Sequence, residues 1–352
     1  MLVISGLVTL GLFAIAVWLP VPYVRLSPGP TFNVIGDKDG TPVISVSGTT
    51  TYPASGTLDM TTVYERGGPR TGLTLFEAIS GWMNATDAVM PRELLFPDDV
   101  SGDDVKQEQA LLFSNSQSSA VSAALRHLGL PVRTKVIASL VYDGSPAAAE
   151  GGLQPGDVIV SVDGVAVDTP QQVGDAVRAK PVGSALDFVI ERDGKQLPVT
   201  IATADSPREP GTAYLGIGVG VDYRADFDIS FALDDVGGPS AGLIFATGLV
   251  DKLTPGDLTG GKHVAGTGTI EPDGTVGPIG GIRQKLAGAR EAGAELFLMP
   301  ADHCAEAEGH IPDGLTVVPV HTLDEAVSQL QAWTSGGTVA SCPVAVTAAP
   351  AP

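Results

Sequence analysis

Lys285 occupies a position where a soluble helix would place a hydrophobe, and that one position narrows the folds open to the chain. Ile282, Lys285, Leu286, Ala289 and Ala292 or Gly293 recur at i, i+3, i+4 and i+7, while Arg283, Gln284, Arg290 and Glu291 fall on the opposite face. A helix here turns Lys285 inward. A buried ammonium without a partner is costly enough that the group tends to shed its proton, which drags a lysine pKa from about 10.4 towards 7. The neutral amine is a general base, so the fold that hides it must also bring it a proton donor.

Ser240 is the candidate donor. It lies in Gly237-Gly-Pro-Ser-Ala-Gly242, and the run from Ser240 to Val250 is apolar almost all round. That pattern reads as a buried helix with Pro239 in its first turn, where a missing N–H costs nothing. The hydroxyl then sits at a helix N-terminus, and backbone around Gly238, Pro239 and Ser240 is the candidate oxyanion site. Taken singly, a serine near a helix start is most often a cap and a lysine in an apolar stripe often snorkels to water. The pairing carries the chemistry.

With Gly266-Thr-Gly268, Pro278-Ile-Gly-Gly-Ile-Arg-Gln-Lys-Leu286 and Ala292-Gly-Ala-Glu-Leu-Phe-Leu-Met-Pro300, these residues resemble the proteolytic domain of Lon proteases over roughly residues 213 to 330. The resemblance implies a serine endopeptidase with Ser240 as nucleophile, Lys285 as base and Thr267 hydrogen-bonded to the lysine. It also makes a homo-oligomer plausible, since Lon-type domains commonly assemble into rings. One departure is Thr269, where Lon commonly has Glu. The larger Lon enzymes carry an ATPase module; here Gly256-Asp-Leu-Thr-Gly-Gly-Lys-His263 falls one residue short of a P-loop and reads as a turn, so no ATP or other cofactor is expected. Gly238 to Gly242 also satisfies G-x-S-x-G, the α/β-hydrolase elbow, but Asp234 and Asp235 spoil the buried strand that should precede it. His263, His303, His310 and His321 leave a His-triad esterase open by inventory.

Upstream, Val136 to Val141, Gly144-Ser-Pro-Ala147, Gly151-Gly-Leu-Gln-Pro-Gly-Asp-Val-Ile159 and Val162-Asp-Gly164 resemble a bacterial PDZ domain over about 131 to 204, with a helix at 170 to 179. The turn signals Pro155-Gly-Asp157 and Asp163-Gly164 separate β-rich runs. The resemblance implies capture of protein or peptide substrates by strand addition. Leu128-Gly-Leu-Pro131 is too short and proline-blocked for the usual carboxylate loop before the first strand.

Met1 to Val24 holds no charged residue, and Leu2 to Leu19 is nearly unbroken hydrophobe, enough to cross most of a bilayer of about 30 Å. The expectation is an uncleaved single-pass anchor over residues 1–24, contacting the lipid bilayer, with Trp18 and Tyr23 at the interface. The related anchored Lon-like layout implies an extracytoplasmic body at the cell membrane. A net charge of −20 argues against a nucleic-acid partner. Cys304 and Cys342 lack metal-site spacing, and no H-E-x-x-H occurs, so no metal is expected. The two cysteines could form a disulfide or remain small buried residues.

The expected fold class is α+β: a transmembrane helix, a Lon-type proteolytic domain at 205–333, and a PDZ domain at 131–204 inserted after strands and helices at 25–130 that pack with the protease. Pro28-Gly-Pro30 would link the anchor, Met90 to Leu95 with Pro97 would form a loop facing the cleft, and 334–352 would be disordered. A non-catalytic, membrane-anchored PDZ adaptor is the alternative reading.

Overall fold

The computed structural model describes residues 4–7, 10–11, 18–69, 72–96, 102–149, 152–207, 209–233 and 236–343. The chain divides into two compact units, Met1–Gly129 with Phe227–Pro352, and the intervening Leu130–Asp226. The first half of unit one supplies β1 (Tyr23–Asn33), β2 (Ile44–Ser47), β3 (Thr57–Arg66), α1 (Leu75–Met83), β4 (Ala88–Pro91) and α2 (Gly102–His127). Unit two supplies β5 (Arg133–Val141), β6 (Val158–Val162), α3 (Pro170–Arg178), β7 (Ala185–Arg192), β8 (Lys195–Ala202) and β9 (Ile217–Arg224). The returning half of unit one adds β10 (Asp228–Phe231), α4 (Gly242–Leu253), β11 (His263–Gly266), α5 (Ile282–Glu291), β12 (Leu296–Pro300), β13 (Thr316–Val320) and α6 (Leu323–Thr334).

Unit one is α+β, centred on a six-stranded sheet of order β13-β12-β11-β3-β1-β4. The strands from β13 to β3 run parallel, whereas β1 is antiparallel to both β3 and β4. Leu296, Phe297, Leu298 and Met299 are all fully buried, as a parallel strand covered on both faces requires. Strand alternation assigns those faces. Ala265 and Phe297 cluster with Ile282, Leu286 and Ala289 of α5, while Gly266, pointing the other way, lies against Ile244 of α4. The helix that follows Ser240 and the helix that carries Lys285 therefore cover opposite faces.

Several sequence expectations change here. Residues 1–3, 8–9 and 12–17 of the expected anchor fall outside the described residues; among the described residues no helix is long and apolar enough to cross a membrane. Its last part is strand: Pro20–Val21 pairs with Leu73–Thr74, and Val24 is fully buried in β1. Pro28-Gly-Pro30 is no linker but an irregularity inside β1, where a Cβ on Gly29 would fall 2.4 Å from Thr62 Oγ1. Ala88–Pro91 is likewise a strand, followed by a short 3-10 turn. At the carboxyl end, Cys304 and Cys342 form a disulfide, and Ala340 N–H donates to Gln329 Oε1. Residues up to 343 are thus tied down rather than loose, and the rest of the expected tail lies outside the described residues.

Unit two is an antiparallel sheet of order β8-β7-β6-β5-β9 around a core of Ile159, Val173, Leu186, Phe188, Ile190 and Leu215. Helix α3 opens with a capping box between Thr169 and Gln172 and with Pro170 in its first turn. Asp157, 2% exposed at its side chain, is held by both Nε and Nη2 of Arg192 at 2.7 and 2.6 Å. The boundary read at 204 falls short: β9 pairs along β5 from Ile217↔Val141 to Arg224↔Arg133 and belongs to this unit.

Candidate active site

Helix α5 begins at Gly281, whose φ of 70° and whose missing Cβ, 2.7 Å from Val63 Cγ2 if it were present, leave room only for glycine. That close start sets Lys285 one turn into the helix at 3% exposure, beside fully buried Ile282 and Leu286. Burial pulls the Lys285 pKa down to about 7. Gln284, expected on the solvent face, is buried instead and donates to the Thr86 carbonyl. Its amide reaches an acceptor that periodicity alone could not reveal.

Lys285 Nζ donates to Thr267 Oγ1 at 3.0 Å, and that hydroxyl donates in turn to the Ser240 carbonyl at 3.0 Å. Gly268 N–H reaches the same carbonyl at 2.9 Å. Thr267 is fully buried, so each of its bonds replaces one that water would otherwise make. From the other side, α2 holds the serine turn: Gln109 O accepts from Gly238 N–H, and Ser116 Oγ donates to Pro239 O, both at 2.9 Å. Sequence reasoning missed Gln109 and Ser116. Nothing local marks them, because they act across more than a hundred residues.

Helix α4 starts at Gly242 with Ala241 as its cap, so Ser240 lies in the turn ahead of the helix rather than in it. Of the three expected oxyanion positions, Gly238 has its N–H engaged by Gln109 and Pro239 has none to give. Among the described residues, the N–H groups of Ser240 and Ala241 have no acceptor. Ser240 and Lys285 line one cavity of about 500 Å³, walled by Leu26, Leu95 and the β3 residues Met60 to Glu65. The Glu65 carboxyl there is raised by burial. Strand β3 pairs with β11 only as far as Met60, while β1 pairs with it onward to Arg66. The edge of Thr61 to Glu65 away from β1 therefore has no ladder partner among the described residues.

None of the five histidines lines this cavity. His263 Nε2 is 2.8 Å from Asp59, and His303 Nε2 accepts from Ile279 N–H. The His-triad reading loses its base. The Gly256 to His263 segment is a turn in which Asp257 Oδ1 accepts from the N–H groups of Thr259 and Gly260.

Within unit two, Val173, Val177, Leu215, Ile217 and Val219 line a groove of about 180 Å³ between α3 and β9. Sequence reading sought the groove strand before β5; it is β9, entered through Tyr214-Leu-Gly-Ile217 with Gly216 at φ 76°. Strand β9 ends the sheet order, so along Ile217 to Val221 its edge away from β5 has no ladder partner among the described residues.

The Lon protease (S16) C-terminal proteolytic domain family matches residues 234–332, and the PDZ domain family matches residues 137–192. The chain carries a Lon-type proteolytic domain. The chain is 40% identical over 95 residues to Lon protease 1 of Sorangium cellulosum, a match covering 26% of this chain and 12% of that protein. Lon protease 1 of Bacillus subtilis is 33% identical over 118 residues, 32% of this chain and 15% of its own length. The Lon protease of Chloroflexus aurantiacus is 25% identical over 284 residues, 71% of this chain and 34% of its own. The chain thus spans about a third or less of these relatives. Among solved structures, the PDZ domain of an SdrC-like protein from Listeria monocytogenes is 28% identical, covers 24% of this chain and 86% of its own, and has a TM-score of 0.22. Beside its PDZ domain, the Lon-type domain thus makes this a PDZ-containing, Lon-like chain.

Proposed function

We propose that the chain is an ATP-independent serine endopeptidase, anchored in a membrane by its amino end, that hydrolyses peptide bonds with a Ser240/Lys285 dyad. The observation that carries this reading is a lysine 3% exposed, with a pKa near 7, lining the same cavity as Ser240. The neutral amine gives one N–H to Thr267 and keeps its lone pair for a proton. Ser240 Oγ attacks the peptide carbonyl as Lys285 takes its proton; the negative charge on the carbonyl oxygen is met by the free N–H groups of Ser240 and Ala241. When the tetrahedral adduct collapses, the C–N bond breaks and the lysine returns the proton to the leaving amine. Water then repeats the sequence on the ester. The open edge of β3 offers the substrate backbone hydrogen bonds that hold it extended across the dyad.

Protein substrates are captured in the α3–β9 groove, where a peptide adds as a strand along β9 with an apolar side chain under Val173 and Val177. The Cys304–Cys342 disulfide supports an oxidising, extracytoplasmic setting for the body. Labelling by a serine-directed fluorophosphonate tests the dyad: wild type should label, and both Ser240→Ala and Lys285→Ala should fail to. Labelling that survives Lys285→Ala would remove the lysine from the mechanism, and peptide cleavage by Ser240→Ala at the wild-type rate would favour the adaptor reading.

A further inference from the structure

Helix α1 is built inside out. Its small residues Ala78 and Gly81 are buried, whereas Phe76, Ile79, Trp82 and Met83, at i, i+3, i+6 and i+7, are 58, 44, 55 and 83% exposed. The inner face is closely seated: a Cβ on Gly81 would lie 2.6 Å from Val89 Cγ2, and Ser80 Oγ accepts from Arg25 Nη1. The helix's one charge, Glu77, closes the capping box with Thr74 and pairs with Arg66 at 2.8 Å. The outward stripe is therefore apolar and uncharged, on a body whose net charge is −20. A soluble helix shows the reverse arrangement.

The chain itself indicates what covers this stripe. Leu75 N–H, the first of the helix, donates to Leu19 O at 2.9 Å, and Pro20–Val21 pairs with Leu73–Thr74. The uncharged apolar run from Leu2 to Leu19 thus ends against the first turn of α1. Trp18, 79% exposed, and Trp82, edge-on to Tyr23 at 5.5 Å, put two indoles beside that junction, a residue type favoured at the headgroup level. We infer that the Phe76, Ile79, Trp82 and Met83 face of α1 lies in the headgroup–acyl boundary of the bilayer that residues 1–19 enter. The inference rests on the anchor reading above. The helix fixes how the body stands on the membrane, which a single flexible tether could not do.

The three tryptophans, Trp18, Trp82 and Trp333, make this measurable. The full chain, reconstituted in phosphatidylcholine vesicles containing lipid brominated near the headgroup, is compared in three forms, each keeping one tryptophan with the other two replaced by Phe. Emission should be strongly quenched for Trp18 and Trp82 and unchanged for Trp333, which stacks under Lys262 on α6. Phe76→Ser with Ile79→Ser should relieve the Trp82 quenching while leaving Trp18 quenching and hydrolysis of a soluble peptide intact. Quenching of Trp18 without Trp82 overturns the inference and leaves the anchor standing; quenching of neither removes both. Unquenched Trp82, with a fall in sedimenting mass in detergent on Ile79→Ser, assigns the face to a second copy of the chain and also overturns it.

Discussion

Lys285 is both the proposed base of the site and a liability to the fold. Its pKa is about 7 in the folded chain and about 10.5 when unfolded, so between those values the unfolded state binds the extra proton and stability rises with pH. Below pH 7 both states are charged, and burial of the ammonium is felt in full. Lys285→Met should therefore stabilise the protein by about 2–4 kcal/mol at pH 7 and by almost nothing above pH 10.5, read from urea midpoints across pH. The same titration sets the rate. With chemistry limiting, kcat/KM should rise about tenfold between pH 6 and 8, as the neutral amine goes from a minor to the major form. A flat profile would separate the lysine from proton transfer. Thr267→Val should lower kcat by about ten- to a hundredfold with little change in KM, because the lysine loses its orienting acceptor and the Ser240 carbonyl loses a donor.

At the scale of elements, the helix that presents Lys285 depends on its N-cap residue. Gly281→Ala meets both a left-handed φ and Val63, so it should cost about 1–3 kcal/mol and reduce serine-probe labelling by moving the lysine, measured on the same sample by thermal melting and labelling rate. The Cys304–Cys342 bridge closes a span of 38 residues, and chain-entropy arguments give its loss a cost of about 4 kcal/mol, visible as a drop in melting temperature on reduction. Local patterns made much of this layer readable. The i, i+3, i+4 stripe of α5 and the apolar run of α4 are properties of contiguous sequence. What stayed hidden was non-local: β9 joins unit two by pairing with β5 some eighty residues earlier, Gln284 finds Thr86, and Pro28 and Pro30 sit in a strand because the Pro28-Gly-Pro30 irregularity removes the ladder bonds they would forfeit. That Ser240 and Lys285 belong together could be proposed because they flank recognisable glycine turns; Gln109 and Ser116, which hold the Ser240 turn, could not.

For the whole molecule, the groove in unit two and the cleft in unit one are separate sites on one chain, and they should separate in kinetics. Val177→Asp should raise KM for an unfolded protein substrate about tenfold or more, through a desolvated carboxylate in an apolar groove, and leave turnover of a short chromogenic peptide unchanged. Equal losses on both substrates would mean that the groove supports the fold instead of capturing substrate. Helix α2 gives the chain one more property. Its body grips the turn around Ser240 through Gln109 and Ser116, and beyond residues 128–132 the backbone enters β5, the strand against which β9 is laid. The helix that holds the Ser240 turn is thus joined to the first strand of unit two through residues 128–132 alone. Because those holds lie on either side of residues 128–132, a few residues inserted there would break neither the bonds to the Ser240 turn nor the β5–β9 pairing.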